Sequence, residues 1–245
     1  MAKKIIVLDP GHGGKDPGAV GNDLLEKEIT LMIARKVAKR LGNYDVTVRL
    51  TRDDDTFLSL DARAAFANNV KADYYLSIHV NAGGGTGFES FIYNGPVNSV
   101  TGNLRTALHQ TIATFVKSYG IVDRGEKKAN FAVLRQTNMP ACLIEMLFID
   151  TAKDAAFLKD DEFMRGMSDA ITAGLVQILN VEAVTPAPQP TPEPPQPSTP
   201  VWNPQGEIQK LIDAGIIFNN HPADAPVTWG EFAAVINRIL NSNKQ

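Results

Sequence analysis

The sequence predicts an α/β fold: a mixed, largely parallel twisted sheet flanked by helices over residues 1–184, a Pro-rich linker over 185–200, and a small helical segment over 201–245. Three observations lead there. Short apolar runs alternate with longer stretches whose apolar residues recur at helical spacing, the pattern of a layered α/β domain. The stretch 185–200 holds eight of the fifteen prolines, so it offers neither ladder nor helix hydrogen bonds and no apolar side chains to bury. The segment beyond it is too short to bury much on its own.

Each element has its own signal. Ile5–Leu8 is a buried-strand run. Leu25–Leu41 sets Ile29, Ile33, Val37 and Leu41 on one helical stripe. Val46–Leu50 alternates as a strand, Leu58–Asn68 has helical character, and Tyr74–Ile78 and Phe88–Tyr93 are strands again. Leu104–Tyr119 returns to helix and stops at Gly120. Phe131–Leu134 and Cys142–Leu147 are expected to be further strands. Phe163–Leu179 closes the domain as a helix carrying Met164, Met167, Ile171, Leu175 and Ile178. The linker should run as polyproline II, about 50 Å long at roughly 3.1 Å per residue. Beyond it, Ile208, Leu211 and Ile212, then Phe232, Val235, Ile236 and Ile239, mark two short helices around a turn.

Composition excludes several classes of function. With 44% hydrophobic and 21% charged residues, the chain can build a core without disulfides and is not disordered throughout. No apolar run approaches the roughly 18 residues of a membrane span. A net charge of −3 argues against a phosphate-neutralising face for nucleic acid. Cys142 is the sole cysteine, which excludes an intramolecular disulfide framework and a Cys-based zinc cluster. Within its apolar run it is expected to be an inert core thiol. The apolar run after Lys3 and Lys4 is too short for the core of a secretory signal, so a chain without an export signal is expected. Nothing in the sequence sets an oligomeric state.

Chemistry should sit at strand ends. The first is the loop Asp9-Pro10-Gly11-His12-Gly13-Gly14-Lys15-Asp16-Pro17-Gly18. A phosphate cradle fails there, because Asp16 follows Lys15 where a hydroxyl is required, and two aspartates repel phosphate. The glycines instead let the backbone turn tightly around an exposed His12. Two partners are available: Glu26, at the mouth of the first long helix, and His79, just past an apolar strand. Two imidazoles and one carboxylate make a catalytic zinc set with a fourth position for water. Taken singly, Glu26 also reads as a carboxylate favoured by the helix dipole, and His79 as a polar strand end. Glu145 lies amid the apolar run Cys142–Ile149, where burying a carboxylate is expensive. Its proton affinity should be raised, as suits a general base or acid; pairing with Arg135 or exposure at a strand end is the alternative. His109 and His221 read as surface residues.

The segments IIVLDPGHGGKDPGAVG, LLEKEITLMIA, RDDDTFLSLDARAAFAN, YYLSIHVNA, GFESFIY and FAVLRQTNMPACLIEMLFI together resemble the zinc-dependent N-acetylmuramoyl-L-alanine amidases of the Amidase_3 type. They stand in that family's order over about residues 4–180. The resemblance implies that His12, Glu26 and His79 hold Zn²⁺ and that Glu145 is the catalytic carboxylate. It implies hydrolysis, by a zinc-activated water, of the amide joining N-acetylmuramic acid to L-alanine in peptidoglycan. One departure lies just after Glu145: the family commonly reads E-x-G-F-x-S/T-N, and here Leu147 replaces the small residue while Asp150-Thr151 replaces the polar pair. A bulkier Leu147 would be expected to reshape the substrate groove. Residues 201–245 are similar to one S-layer-homology repeat, a module that holds secondary cell-wall polymer; a helical packing role is the alternative. The whole resembles a phage endolysin, made in the cytoplasm and released to the wall through holin lesions. A bacterial autolysin or sporulation amidase is the second setting. A metallopeptidase, a deacetylase or an inactive wall-binding protein would each fit part of the pattern.

Overall fold

The computed structural model describes residues 3–97, 99–184, 204–217, 222 and 225–242. The chain separates into two compact units, Met1–Thr185 and Pro186–Gln245; the proline-rich stretch expected as a linker lies outside the described residues. The first unit runs β1 (Lys4–Pro10), β2 (Val20–Gly21), β3 (Leu24–Leu25), α1 (Glu26–Leu41), β4 (Val46–Leu50), α2 (Leu60–Asn69), β5 (Tyr74–Asn81), β6 (Phe88–Tyr93), α3 (Ser99–Ser118), β7 (Asp123–Ala129), α4 (Ala132–Arg135), β8 (Ala141–Phe148), α5 (Ala152–Lys159) and α6 (Asp161–Leu179). The second contains α7 (Pro204–Asp213) and α8 (Trp229–Ser242). No helix among the described residues is long and apolar enough to cross a membrane.

Six strands form one sheet in the order β4-β1-β5-β8-β6-β7. β4, β1, β5 and β8 are parallel, while β6 is antiparallel to β8 and parallel to β7. The α/β expectation holds. Because successive side chains leave opposite faces of a strand, each strand feeds two cores. Ile6, Leu8, Leu76, Ile78, Cys142 and Ile144 pack under α1, α3 and α6 with Ile33, Ile112 and Met167. Val7, Tyr75 and Leu143 face the smaller layer, with Ala67 of α2 and Val133 and Leu134 of α4. That second face is only partly roofed, and the site lies where the roof stops.

Two expectations need correction, and one strand is not among those expected. Phe131–Leu134 is not a strand: Ala132–Arg135 is one helical turn, with the Phe131 carbonyl accepting from Leu134 and Arg135 N–H at 3.1 and 3.0 Å. A four-residue apolar run has no periodicity to distinguish the two. β7 carries no apolar strand signal, because Asp123–Ala129 (DRGEKKA) is a polar edge strand of the kind that charge protects from further pairing. His109 is not on the surface. It is buried in α3 beneath β6, bonded through Nδ1 to Ser90 Oγ at 2.8 Å and through Nε2 to Asp123 Oδ1 at 3.0 Å, with its ring stacked on Phe88. Its polar chain neighbours conceal which side of the helix it occupies. His221 lies outside the described residues.

Candidate active site

The loop after β1 brings His12 forward in a left-handed conformation, φ 62°, which few residues other than glycine adopt without a surrounding clamp. Two buried guanidiniums provide one. Arg63 donates from Nη1 to the Pro10 carbonyl (2.7 Å) and from Nη2 to the His12 carbonyl (2.6 Å). Arg52 donates from Nε to Pro10 O (3.1 Å) and from Nη2 to Gly11 O (2.8 Å). Beneath them Asp9, fully buried at the end of β1, accepts from Arg63 Nη1, Thr51 Oγ1, Tyr75 Oη and Ser77 Oγ at 2.6–2.8 Å. Burial opposes the ionisation of Asp9, but the Arg63 charge and these hydrogen bonds outweigh it and hold its carboxyl below the ordinary value.

The three candidate ligands meet in front of this clamp. Glu26, first residue of α1, is buried. Its Oε2 lies 3.1 Å from His12 Nε2, and its Oε1 lies 2.9 Å from His79 Nδ1. One potential ligand atom from each of His12, Glu26 and His79 falls within 4.8 Å of the other two. Ligand atoms about 2.0–2.1 Å from a tetrahedral zinc stand roughly 3.3 Å apart, so the set is close to that size. Glu26 also accepts the Ala19 and Val80 N–H groups at 2.8 and 2.9 Å. Burial resists its charge, yet the hydrogen bonds from His12 and His79 prevail and keep it ionised far below the usual carboxylate range. The imidazoles answer in kind: burial lowers their proton affinity, but Glu26 more than restores it, and both are raised. Outside the trio, Asp16 Oδ2 holds His12 Nδ1 at 2.9 Å. That bond leaves Nε2 aimed inward, as an outer-shell carboxylate does for a metal-binding imidazole.

Two glycines permit this closeness. A Cβ on Gly11 would stand 2.3 Å from His79 Cε1. One on Gly18, itself at φ 67°, would stand 2.6 Å from both Glu26 Oε2 and His12 Cδ2.

Glu145 comes from the neighbouring strand. The β5–β8 register sets it opposite His79, and both line a cavity of about 280 Å³ together with His12, Glu26, Phe131 and Leu60. Its Oε2 is buried and makes no hydrogen bond with the described residues. Arg135, the alternative partner, binds Asn130 instead. Burial pushes the Glu145 carboxyl up to about 7; His79 opposes the shift, and the Glu26 and Glu89 carboxylates add to it. Such a group trades a proton near neutrality.

The residues after Glu145 take roles that the sequence does not reveal. Leu147 is fully buried in the larger core, so it does not line the cavity. Asp150 Oδ2 accepts the Gly83 and Gly84 N–H groups at 2.7 and 2.9 Å, and Thr151 Oγ1 donates to Gly85 O at 2.5 Å. This pair ties the three-glycine loop after β5 to the end of β8. Sequence reasoning also misses Asp9, Asp16, Arg52 and Arg63 as positioning groups. The available signal is a run of charged side chains flanking a glycine-rich turn.

The strand ends of a mixed α/β sheet thus gather a His–Glu–His set able to hold a metal ion and, in the same cavity, a buried carboxyl whose Oε2 bonds none of the described residues, an arrangement that fits a hydrolase. Residues 6–177 match the N-acetylmuramoyl-L-alanine amidase family Amidase_3, and the chain belongs to that family. It is 47% identical over 182 residues to the endolysin of Bacillus phage SPP1, covering 73% of this chain and 67% of that one. It is 46% identical to the sporulation-specific N-acetylmuramoyl-L-alanine amidase of Bacillus subtilis (strain 168), covering 72% and 69%. Among solved structures, the catalytic domain of the amidase CwlV from Bacillus (Paenibacillus) polymyxa var. colistinus superposes with a TM-score of 0.68 at 37% identity. That match covers 73% of this chain and 99% of CwlV. The chain is a peptidoglycan hydrolase of the amidase type.

Proposed function

We propose that His12, Glu26 and His79 hold zinc and that Glu145 is the general base and acid for cleaving the amide between N-acetylmuramic acid and L-alanine. One observation carries this reading: the buried Glu145 Oε2 has no partner among the described residues and shares a cavity with the His–Glu–His set. The donor set fits the ion, since two neutral imidazoles and one carboxylate leave a net positive charge of one. When bound there, zinc supplies Lewis acidity, polarising the scissile carbonyl and lowering the pKa of water toward about 7. Glu145 accepts a proton from the attacking water and delivers it to the departing alanine nitrogen, so one carboxyl serves both transfers. Asp16 keeps His12 turned inward. Leu60, Phe131 and Val133 give the cavity an apolar wall for the substrate.

Two measurements on purified Gram-positive wall test the reaction. Chelation should abolish activity and added zinc should restore it; full lysis in excess chelator contradicts the metal assignment. Digestion should expose new N-terminal alanine, whereas new internal peptide termini would make the enzyme a peptidase.

Residues 1–184 are proposed as the catalytic domain, 185–200 as a linker and 201–245 as a segment holding secondary cell-wall polymer. The similarity to the SPP1 endolysin supports a role in host lysis, with holin-dependent release from the cytoplasm. A sporulation or autolytic role is the second reading, supported by the Bacillus subtilis relative. Removal of residues 201–245 should lower retention on sedimented wall while sparing the hydrolysis of soluble muropeptide. Equal retention of both forms would leave the segment without a targeting role.

A further inference from the structure

A charged cluster stands one strand beyond Glu145. In the antiparallel β6–β8 register Glu89 is the direct neighbour of Glu145, so both side chains leave the same face of the sheet. Glu89 is buried. Its Oε2 accepts from Arg124 Nε at 2.6 Å and from Lys127 Nζ, and its Oε1 accepts from Asn81 Nδ2 at 2.7 Å. One carboxylate is thus shared by two cations, so within this trio positive charge exceeds negative by one. Apart from Glu145, whose Oε2 bonds none of the described residues, the acids nearby are already engaged. Glu126 pairs with Arg105, Asp123 with Lys117 and His109, and Asp154 with Thr86 and the Gly87 and Phe148 N–H groups.

The cation side chains are partly exposed. Arg124 and Lys127 side chains are 33% and 37% exposed. The Arg124 guanidinium lies over Phe148, 4.8 Å from the ring centroid, and Glu89 fixes its Nε edge. Nη1 has only a long 3.4 Å bond to Thr86 O. A guanidinium seated on a ring and anchored at one edge presents its other edge in a fixed orientation, the geometry that recognises a carboxylate.

The strand order decides which part of a bound substrate arrives there. The candidate ligands lie on the β1 and β5 side, Glu145 on β8, and the cluster on β6 and β7. If the scissile carbonyl faces the ligand set and its nitrogen faces Glu145, the peptide leaving from that nitrogen runs toward β6 and β7. An α-carboxylate on the second stem residue lies about 6 Å from the scissile nitrogen by standard backbone dimensions. Adjacent strands are separated by about 4.8 Å. Arg124 and Lys127 stand on β7, two strands from Glu145. Their heads reach back to Glu89, the direct neighbour of Glu145 on β6, where a reach of about 6 Å can meet them.

We infer that Arg124 and Lys127, seated on Glu89, form a subsite for a free carboxylate on the leaving-peptide side of the scissile amide. This rests on the amidase reading above. It makes the enzyme sensitive to whether the second stem residue, a glutamate linked through its side chain, carries a free or an amidated α-carboxyl.

The test uses the full zinc-loaded chain and three synthetic muramoyl tripeptides. One has the second-residue carboxylate free and the C-terminus amidated, one has both amidated, and one has only the C-terminal carboxylate free. The first should show a KM about tenfold below the second, with similar kcat, as a charge-assisted contact made equally in ground and transition states requires. Arg124→Gln and Lys127→Met should each raise KM for the first substrate at least several-fold more than for the second. Equal KM values for the first two substrates on the unmodified chain overturn the subsite while leaving the amidase reading standing, and need no variant to fold. Preference carried by the third substrate, or equal effects of the variants on the first two, overturns it as well. Failure to cleave any of the three refutes the amidase reading itself.

Discussion

Turnover in a Glu145→Gln variant should fall about 10²–10⁴-fold, the range for losing a positioned general base, while zinc titration still reports a filled site. Glutamine keeps the shape and removes the charge, and no hydrogen bond from Glu145 Oε2 to the ligand set is lost. The variant should also be more stable than the parent in the metal-free state. A carboxyl whose folded value, about 7, lies above its ordinary 4.5 favours the folded state when protonated. Its ionisation erodes stability as pH rises from about 4.5 through about 7. The gain from glutamine should therefore be largest above pH 7 and vanish below 4.5, as thermal unfolding across that range would report. In the loaded enzyme a nearby dication lowers the carboxyl value, so the acid limb of kcat/KM should fall below 7. Near-parental turnover would remove Glu145 from the chemistry.

The second large effect is on the clamp. Arg63→Met leaves Asp9 buried, ionised and deprived of its cation, and should cost about 3–5 kcal/mol of stability. It also releases the Pro10 and His12 carbonyls, so zinc affinity should fall with stability. The pH dependence has a definite sign. Asp9 is held below its ordinary 3.8, so its contribution is complete above that value and is lost as acid titrates the folded protein. A loss under 1 kcal/mol in denaturant unfolding would show that the pair is not what supports the loop. A double variant with Asp9→Asn should recover part of the loss, because no unpaired charge remains.

The four residues singled out for chemistry are legible because each breaks a local rule. His12 interrupts a glycine run, Glu26 and His79 stand at element ends, and Glu145 puts a carboxylate into an apolar strand. The structure brings His12, Glu26 and His79 together and sets Glu145 in the same cavity. The central strands are legible for the related reason that burial on both faces demands continuous apolar runs. β7 is not, because this edge strand (DRGEKKA) carries charge instead of an apolar alternation. Nor is α4, whose single turn is decided by what it packs on. His109 escapes sequence reading because its partners Ser90 and Asp123 are distant in the chain, and no spacing rule connects them. The clamp and the Asp150–Thr151 tie share that limit: their bonds run to backbone atoms, which carry no residue signature.

The strand order has a consequence for how the enzyme comes into being. β8 is the last strand of the sheet to be synthesised, yet it is inserted between β5 and β6, in the middle. His12, Glu26 and His79 leave the ribosome well before it. A nascent chain can therefore hold the three proposed metal ligands while still lacking the carboxyl proposed to move protons. Competence to cut arrives only when the centre of the sheet closes, so a prematurely terminated product would be inert toward the wall of the cell that made it.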